Sequence, residues 1–134
     1  MTTDIAVFDT LKYHVVTDRD GTRRYFNING YLHRTGAPAI EWASGVKSWY
    51  QNGLLHRTDG PAIEYTCGTK YWHQNGQVHR TDGPAVEYAD GAKRWYIYGD
   101  PVTEAEFLAA TTQVIEMSVA DVEKLIGKRV KIIR

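Results

Sequence analysis

A period of 23 residues governs the middle of this chain and limits what it can fold into. Residues 49–70 read WYQNGLLHRTDGPAIEYTCGTK, and residues 72–93 read WHQNGQVHRTDGPAVEYADGAK. An earlier copy, residues 26–47, reads FNINGYLHRTGAPAIEWASGVK, and a fourth opens at Trp95 as WYIYG before diverging. Four columns fix the register together. They are Gly30, Gly53, Gly76 and Gly99; His33, His56 and His79; Pro38, Pro61 and Pro84; and Glu41, Glu64 and Glu87. Self-similarity at such a period signifies supersecondary units that bury their apolar faces by stacking on one another.

Inside a copy the pattern is that of strands. Ala85-Val86-Glu87-Tyr88 alternates, Asp90-Gly91 follows, and Lys93-Arg94-Trp95-Tyr96 continues. An Asp-Gly pair between alternating segments predicts a type I′ hairpin turn, in which both central residues need positive φ. Ser44-Gly45 and Cys67-Gly68 stand in the same place. Asn52-Gly53 and Asn75-Gly76 mark a second turn a few residues later. Each copy reads as two strands and a short third. The His-Arg-Thr-Asp-Gly-Pro loop leads onward, its proline at a strand start because it cannot donate to a ladder. A two-residue turn at Cys67-Gly68 sets Tyr65 opposite Lys70, Glu64 opposite Tyr71 and Ile63 opposite Trp72. The Asn75-Gly76 turn sets Trp72 opposite His79. Alternation then places Trp42, Tyr65 and Tyr88 on one face with Trp49, Trp72 and Trp95, and Tyr50, His73 and Tyr96 on the other. The Trp face is expected to be the more buried.

The flanks differ. Tyr13 to Asp20 reads as a degenerate half-repeat turning at Asp20-Gly21. After Pro101, Thr103-Glu104-Ala105-Glu106 is a capping box, with Val102 and Phe107 as its hydrophobic staple, and predicts a helix to about Thr111. Gln113 to Met117 then reads as a strand, Ser118 to Gly127 as a helix ended by its C′ glycine, and Arg129 to Ile133 as a last strand. The expected organisation is a half-repeat over 1–24, hairpin repeats over 25–101, and a helix with a strand-helix-strand cap over 102–134. The fold class is mainly β: an antiparallel hairpin meander or solenoid closed by a small α/β cap.

Composition narrows the chemistry. Sixteen basic residues balance sixteen acidic ones, which gives neither nucleic acid nor an anionic membrane the positive field it needs. The one cysteine, Cys67, forms no intrachain disulfide, and no long apolar run suggests a membrane span. A cytoplasmic location is expected. His33, His56 and His79 are two to three strands apart, roughly 10–14 Å at ordinary strand spacing, too far to share one metal. The glutamate column is likewise too dispersed for paired-carboxylate catalysis. Glu87 is expected to face Arg94 as a surface ion pair. No phosphate loop or nucleophile elbow is present. We expect no enzyme, no metal and no cofactor.

The segment Glu87-Tyr88-Ala89-Asp90-Gly91, followed by an aromatic strand, resembles the core of the 23-residue MORN repeat. The His-Arg-Thr-Asp-Gly-Pro-Ala stretch replaces the glycines of that repeat. With Trp-Tyr-x-Asn-Gly, it is similar to MORN-like proteins of bacteria and phages, some of them antitoxin-like. The tail from Ser118 to Ile133 looks like the ending of such phage proteins. The resemblance covers residues 20 to 134 and implies the fold; a phage anti-defence or antitoxin-like role in host cytoplasm follows from it only as an implication.

Two sets of residues are candidates for binding. Tyr50, His73 and Tyr96 form an aromatic column suited to anchoring a protein partner. Arg34, Arg57 and Arg80 lie beside aromatic residues. They read either as braces of their own loops, with Asp59 and Asp82, or as an anion-binding edge. The expected function is a binding protein that sequesters or inhibits a macromolecule, working as a homo-oligomer through an open sheet edge. The rival is a sponge for a small anionic ligand such as a signalling nucleotide. A flat surface argues against it, because small ligands want concave sites.

Overall fold

The computed structural model describes residues 4–8 and 13–112. They form a mainly β, antiparallel structure with one short helix. The main sheet has ten strands in the order β1 (Asp4–Phe8), β2 (Tyr13–Thr17), β3 (Arg23–Phe26), β4 (Ile40–Glu41), β5 (Lys47–Ser48), β8 (Ile63–Glu64), β9 (Lys70–Tyr71), β12 (Val86–Glu87), β13 (Lys93–Ile97) and β14 (Asp100–Val102). The sheet is open. Two small hairpins stand apart from it, β6 (Tyr50–Gln51) with β7 (Leu54–Leu55), and β10 (His73–Gln74) with β11 (Gln77–Val78). Strand β1 has no counterpart in the sequence reading. The helix spans 104–112, and its capping box is present: Glu106 N–H donates to Thr103 Oγ1 at 3.1 Å, and Thr103 N–H donates to a Glu106 carboxylate oxygen at 2.8 Å. The expected strand-helix-strand of 113–134 lies outside the described residues.

Two turn chemistries build each copy. At Asn52-Gly53 and Asn75-Gly76 both residues have positive φ, 49° and 84° in one and 51° and 82° in the other. These are two-residue type I′ turns, and asparagine tolerates the left-handed region that they demand. The first turn of each copy is different. Gly45, Gly68 and Gly91 have positive φ, but Ser44, Cys67 and Asp90 do not. Gly68 N–H donates to Tyr65 O, and Tyr65 N–H to Thr69 O, both at 3.0 Å. That is a three-residue loop, a type I turn closed by a glycine bulge. At Asp20 and Asp90 the carboxylate accepts the N–H two residues on, from Thr22 and Ala92, both at 2.9 Å.

This extra loop residue corrects the expected register by one. Ile63 pairs with Tyr71 and Glu64 with Lys70, while Glu87 pairs with Lys93 rather than Arg94. A slip of one inverts which side chains share a face. Trp42, Tyr65 and Tyr88 therefore part from the Trp49 column and are 40%, 41% and 37% exposed, whereas Trp49 is buried. Tyr71 moves to their side and packs edge-on against Tyr65 and Tyr88, with ring centroids 5.8 and 6.3 Å apart. The opposite face carries a row of alternating charge directly across seven strands: Arg23, Glu41, Lys47, Glu64, Lys70, Glu87 and Lys93. Each neighbouring pair in it is of unlike charge, which supports this register.

Candidate functional site

The histidine column fastens each copy to the next. His33 Nδ1 accepts the backbone N–H of Asn52, His56 Nδ1 that of Asn75, and His79 Nδ1 that of Tyr98, at 2.9 to 3.0 Å. The glycine after each of those residues adds a second bond. Gly53, Gly76 and Gly99 donate to Leu32 O, Leu55 O and Val78 O at 2.8 to 2.9 Å. Tyr98 takes the asparagine place at φ 46° and stacks on His79, centroids 4.0 Å apart. Burial lowers the pKa of His79, which is 3% exposed, and also that of His73. Both rings are therefore neutral at pH 7.

The arginine column braces the loops. Arg34, Arg57 and Arg80 lie over the rings of Tyr25, Trp49 and Trp72 at 3.7, 3.9 and 4.0 Å. Each donates to a carbonyl four residues on, Pro38, Pro61 or Pro84, and to the carboxylate of Glu41, Glu64 or Glu87. Arg57 and Arg80 also donate through Nε to Asp59 and Asp82, at 2.9 and 2.7 Å. These bonds hold the Asp59 and Asp82 carboxyls below the usual carboxylate range. In the first copy Tyr25, not Phe26, fills the Trp slot. The extra residue is taken up in a three-residue loop at Ile28-Asn29-Gly30, where Asn27 N–H donates to Tyr31 O.

Between successive loops the surface is concave, contrary to the flat array expected. One cleft of about 440 Å³ lies between the loops that begin at Arg57 and Arg80, over Trp72, Gln74 and His79. A second, of about 310 Å³, lies between the loops at Arg34 and Arg57, over Trp49, Gln51 and His56. Shifted by one period, every lining residue of the smaller cleft falls on a lining residue of the larger.

The six candidate residues separate. Arg34, Arg57 and Arg80 share the cleft edge. His73 is buried, with its Nδ1 lacking a hydrogen-bond partner among the described residues, and it does not present an anchor ring to solvent. Tyr50 is half-buried. Tyr96 lines a separate hollow of about 340 Å³ beside Trp95 and Glu104. The sequence reading missed Thr58, Thr81 and Gln74 as cleft residues. The period itself was the available signal, since it brings every loop to one edge. Among the described residues no group of three His, Cys, Asp or Glu side chains is placed to hold a metal, and no helix is long and apolar enough to cross a membrane. Comparison of the chain with protein-family models, with curated proteins and with solved structures returns no match.

Proposed function

We propose that this protein is a non-enzymatic binding protein that holds a macromolecular partner along its row of clefts, and so sequesters or inhibits it. The observation that supports this reading is the recurrence of one lined cleft at a shift of one sequence period. Two clefts with corresponding linings one period apart suit a partner with its own repeat, such as a polymer chain. We read the copies as a short solenoid of the MORN-like type, acting in the cytoplasm as a homo-oligomer. The phage anti-defence or antitoxin-like role belongs to the same proposal. The rival reading, a small anionic ligand such as a nucleotide, has the cleft volumes in its favour. It suffers on charge, because every guanidinium of the column is already paired with a carboxylate.

The test is capture by the tagged full chain from lysate of the cell that makes it, alongside a Thr58→Trp, Thr81→Trp variant whose clefts are filled. A partner held by the first and lost from the second supports the reading. Equal capture by both removes the clefts from it. No partner, with nucleotide released on heat denaturation, moves the rival ahead.

A further inference from the structure

We infer that the outer edge of β1 pairs with β1 of a second copy, antiparallel about a two-fold axis at Ala6, joining two open sheets into one and stopping there. This rests on the homo-oligomer of the reading above and assigns its interface. Among the described residues β1 and β14 are the two ends of the main sheet, each with one neighbouring strand. They differ in what they leave open.

The edge of β14 has nothing to donate. Tyr98-Gly99, with φ of 46° and 85°, is a two-residue turn that closes on the pair Ile97 and Asp100. Alternation along the strand then turns Val102 inward to Trp95 and Pro101 outward. Proline has no N–H. On either side of it, the Gly99 N–H is taken by Val78 O and the Thr103 N–H by a Glu106 carboxylate oxygen. Such an edge refuses a further strand.

The edge of β1 is open. Asp18 N–H donates to Thr22 O at 2.9 Å, so Asp18, Val16 and His14 turn their backbone groups towards β3. Val15 and Thr17 therefore turn theirs towards β1, where Ala6 and Asp4 turn back to meet them. The N–H and C=O groups of Ile5 and Val7 are left facing away from β2. Among the described residues no strand meets them. Ile5 to Phe8 contains neither proline nor charge, the usual guards of an edge.

A second β1 satisfies these groups with the same groups. Antiparallel pairing centred on Ala6 sets Ile5 against Val7 of the partner subunit, and Val7 against Ile5 of the partner subunit. Each of those pairs exchanges both its N–H···O bonds. Asp4 falls opposite Phe8 of the partner subunit, so like charges do not meet. The contact is isologous. It uses up the open edge of both chains, and the closed β14 edges bar a third.

The experiment is sedimentation equilibrium on the full chain over a wide range of concentration, with native mass spectrometry of mixtures. We expect a dimer and no larger species. Val7→Pro removes an outward N–H and no bond to β2, and should give the monomer. Ile5→Lys with Val7→Lys sets like charges against each other across the two-fold and should weaken the dimer by roughly 10-fold or more. Ile5→Glu with Val7→Glu should do the same. Mixed together, the two charged variants should form a heterodimer tighter than either homodimer, which a folding defect would not produce. A monomer throughout, a dimer indifferent to these changes, a ladder of larger species or a mixture that stays apart overturns the inference. If the chain is monomeric while the Trp-filled variant still loses a captured partner, the binding reading stands without its homo-oligomer. If the heterodimer forms and nothing is captured, the interface stands and the binding reading falls.

Discussion

The first loop and the two that follow solve one packing problem with the glycine one position apart. In the second and third copies a Cβ on Gly60 or Gly83 would lie 2.9 or 3.0 Å from the guanidinium carbon of Arg57 or Arg80. Neither glycine needs positive φ, so they serve as room beneath the arginine. In the first copy Ala37 stands at that place, and Gly36, one residue earlier, has φ 76° and open space around it. There the backbone turns aside, and glycine is needed for conformation. The same arginine brace thus tolerates two backbones. What it holds constant is the ring, the proline carbonyl and the glutamate.

The largest effect should come from removing the brace. Arg80→Ala takes away a stacked cation and its charged hydrogen bonds, a loss of about 2–4 kcal/mol. Arg34→Ala, with no aspartate partner, should cost less. Urea unfolding of the two variants measures the gap, and equal losses would make the aspartate bond irrelevant to stability. Next comes Gly60→Ala, which crowds a guanidinium fixed on three sides, at about 1–2 kcal/mol. Ala37→Gly in the first copy should be close to neutral by the same assay.

Acid should find the third copy. His73 and His79 have pKa values lowered by burial, so the unfolded chain binds protons first as pH falls. Stability is full above the ordinary histidine pKa near 6.5 and declines below it, down to the folded-state values. The slope reaches ~1.4 kcal/mol per pH unit for each histidine. Urea midpoints from pH 7.5 to 5 measure this, and His73→Phe should flatten the curve. A small effect is expected at Tyr98→Asn. Asparagine relieves a left-handed tyrosine but forfeits the stack on His79, so the net change should stay within about 1 kcal/mol by thermal unfolding.

The antiparallel fold, the type I′ turns and the helix cap were legible because each rests on residues with one preferred use. Asn75-Gly76 fixed Trp72 opposite His79, and His79 N–H does donate to Trp72 O at 3.0 Å. Asp90-Gly91 was misread because aspartate before glycine serves two turns. It can adopt positive φ, or it can stay right-handed and accept an N–H through its side chain. Ser44 and Cys67 in the same column carried the hint, since neither favours the left-handed region. The clefts were not legible for a related reason. They arise between copies, and one copy's alternation says nothing about the hollow left beside its neighbour. A bracing role for Arg57 and Arg80 was legible from Asp59 and Asp82 two residues on, but the proline carbonyls they meet four residues on were not.

The histidine clasp gives the array a polarity. Each copy offers a carbonyl and an imidazole, at Leu32-His33, Leu55-His56 and Val78-His79, and each following turn inserts its two N–H groups there. A copy is thus a receiver towards its C-terminal neighbour and an inserter towards its N-terminal one, never the reverse. After Tyr98-Gly99 the chain presents Pro101-Val102, the end of β14, where a receiver would stand, and the helix follows. The succession of copies is built with a head and a tail, so lengthening it by one unit means inserting between two existing clasps rather than adding beyond the last.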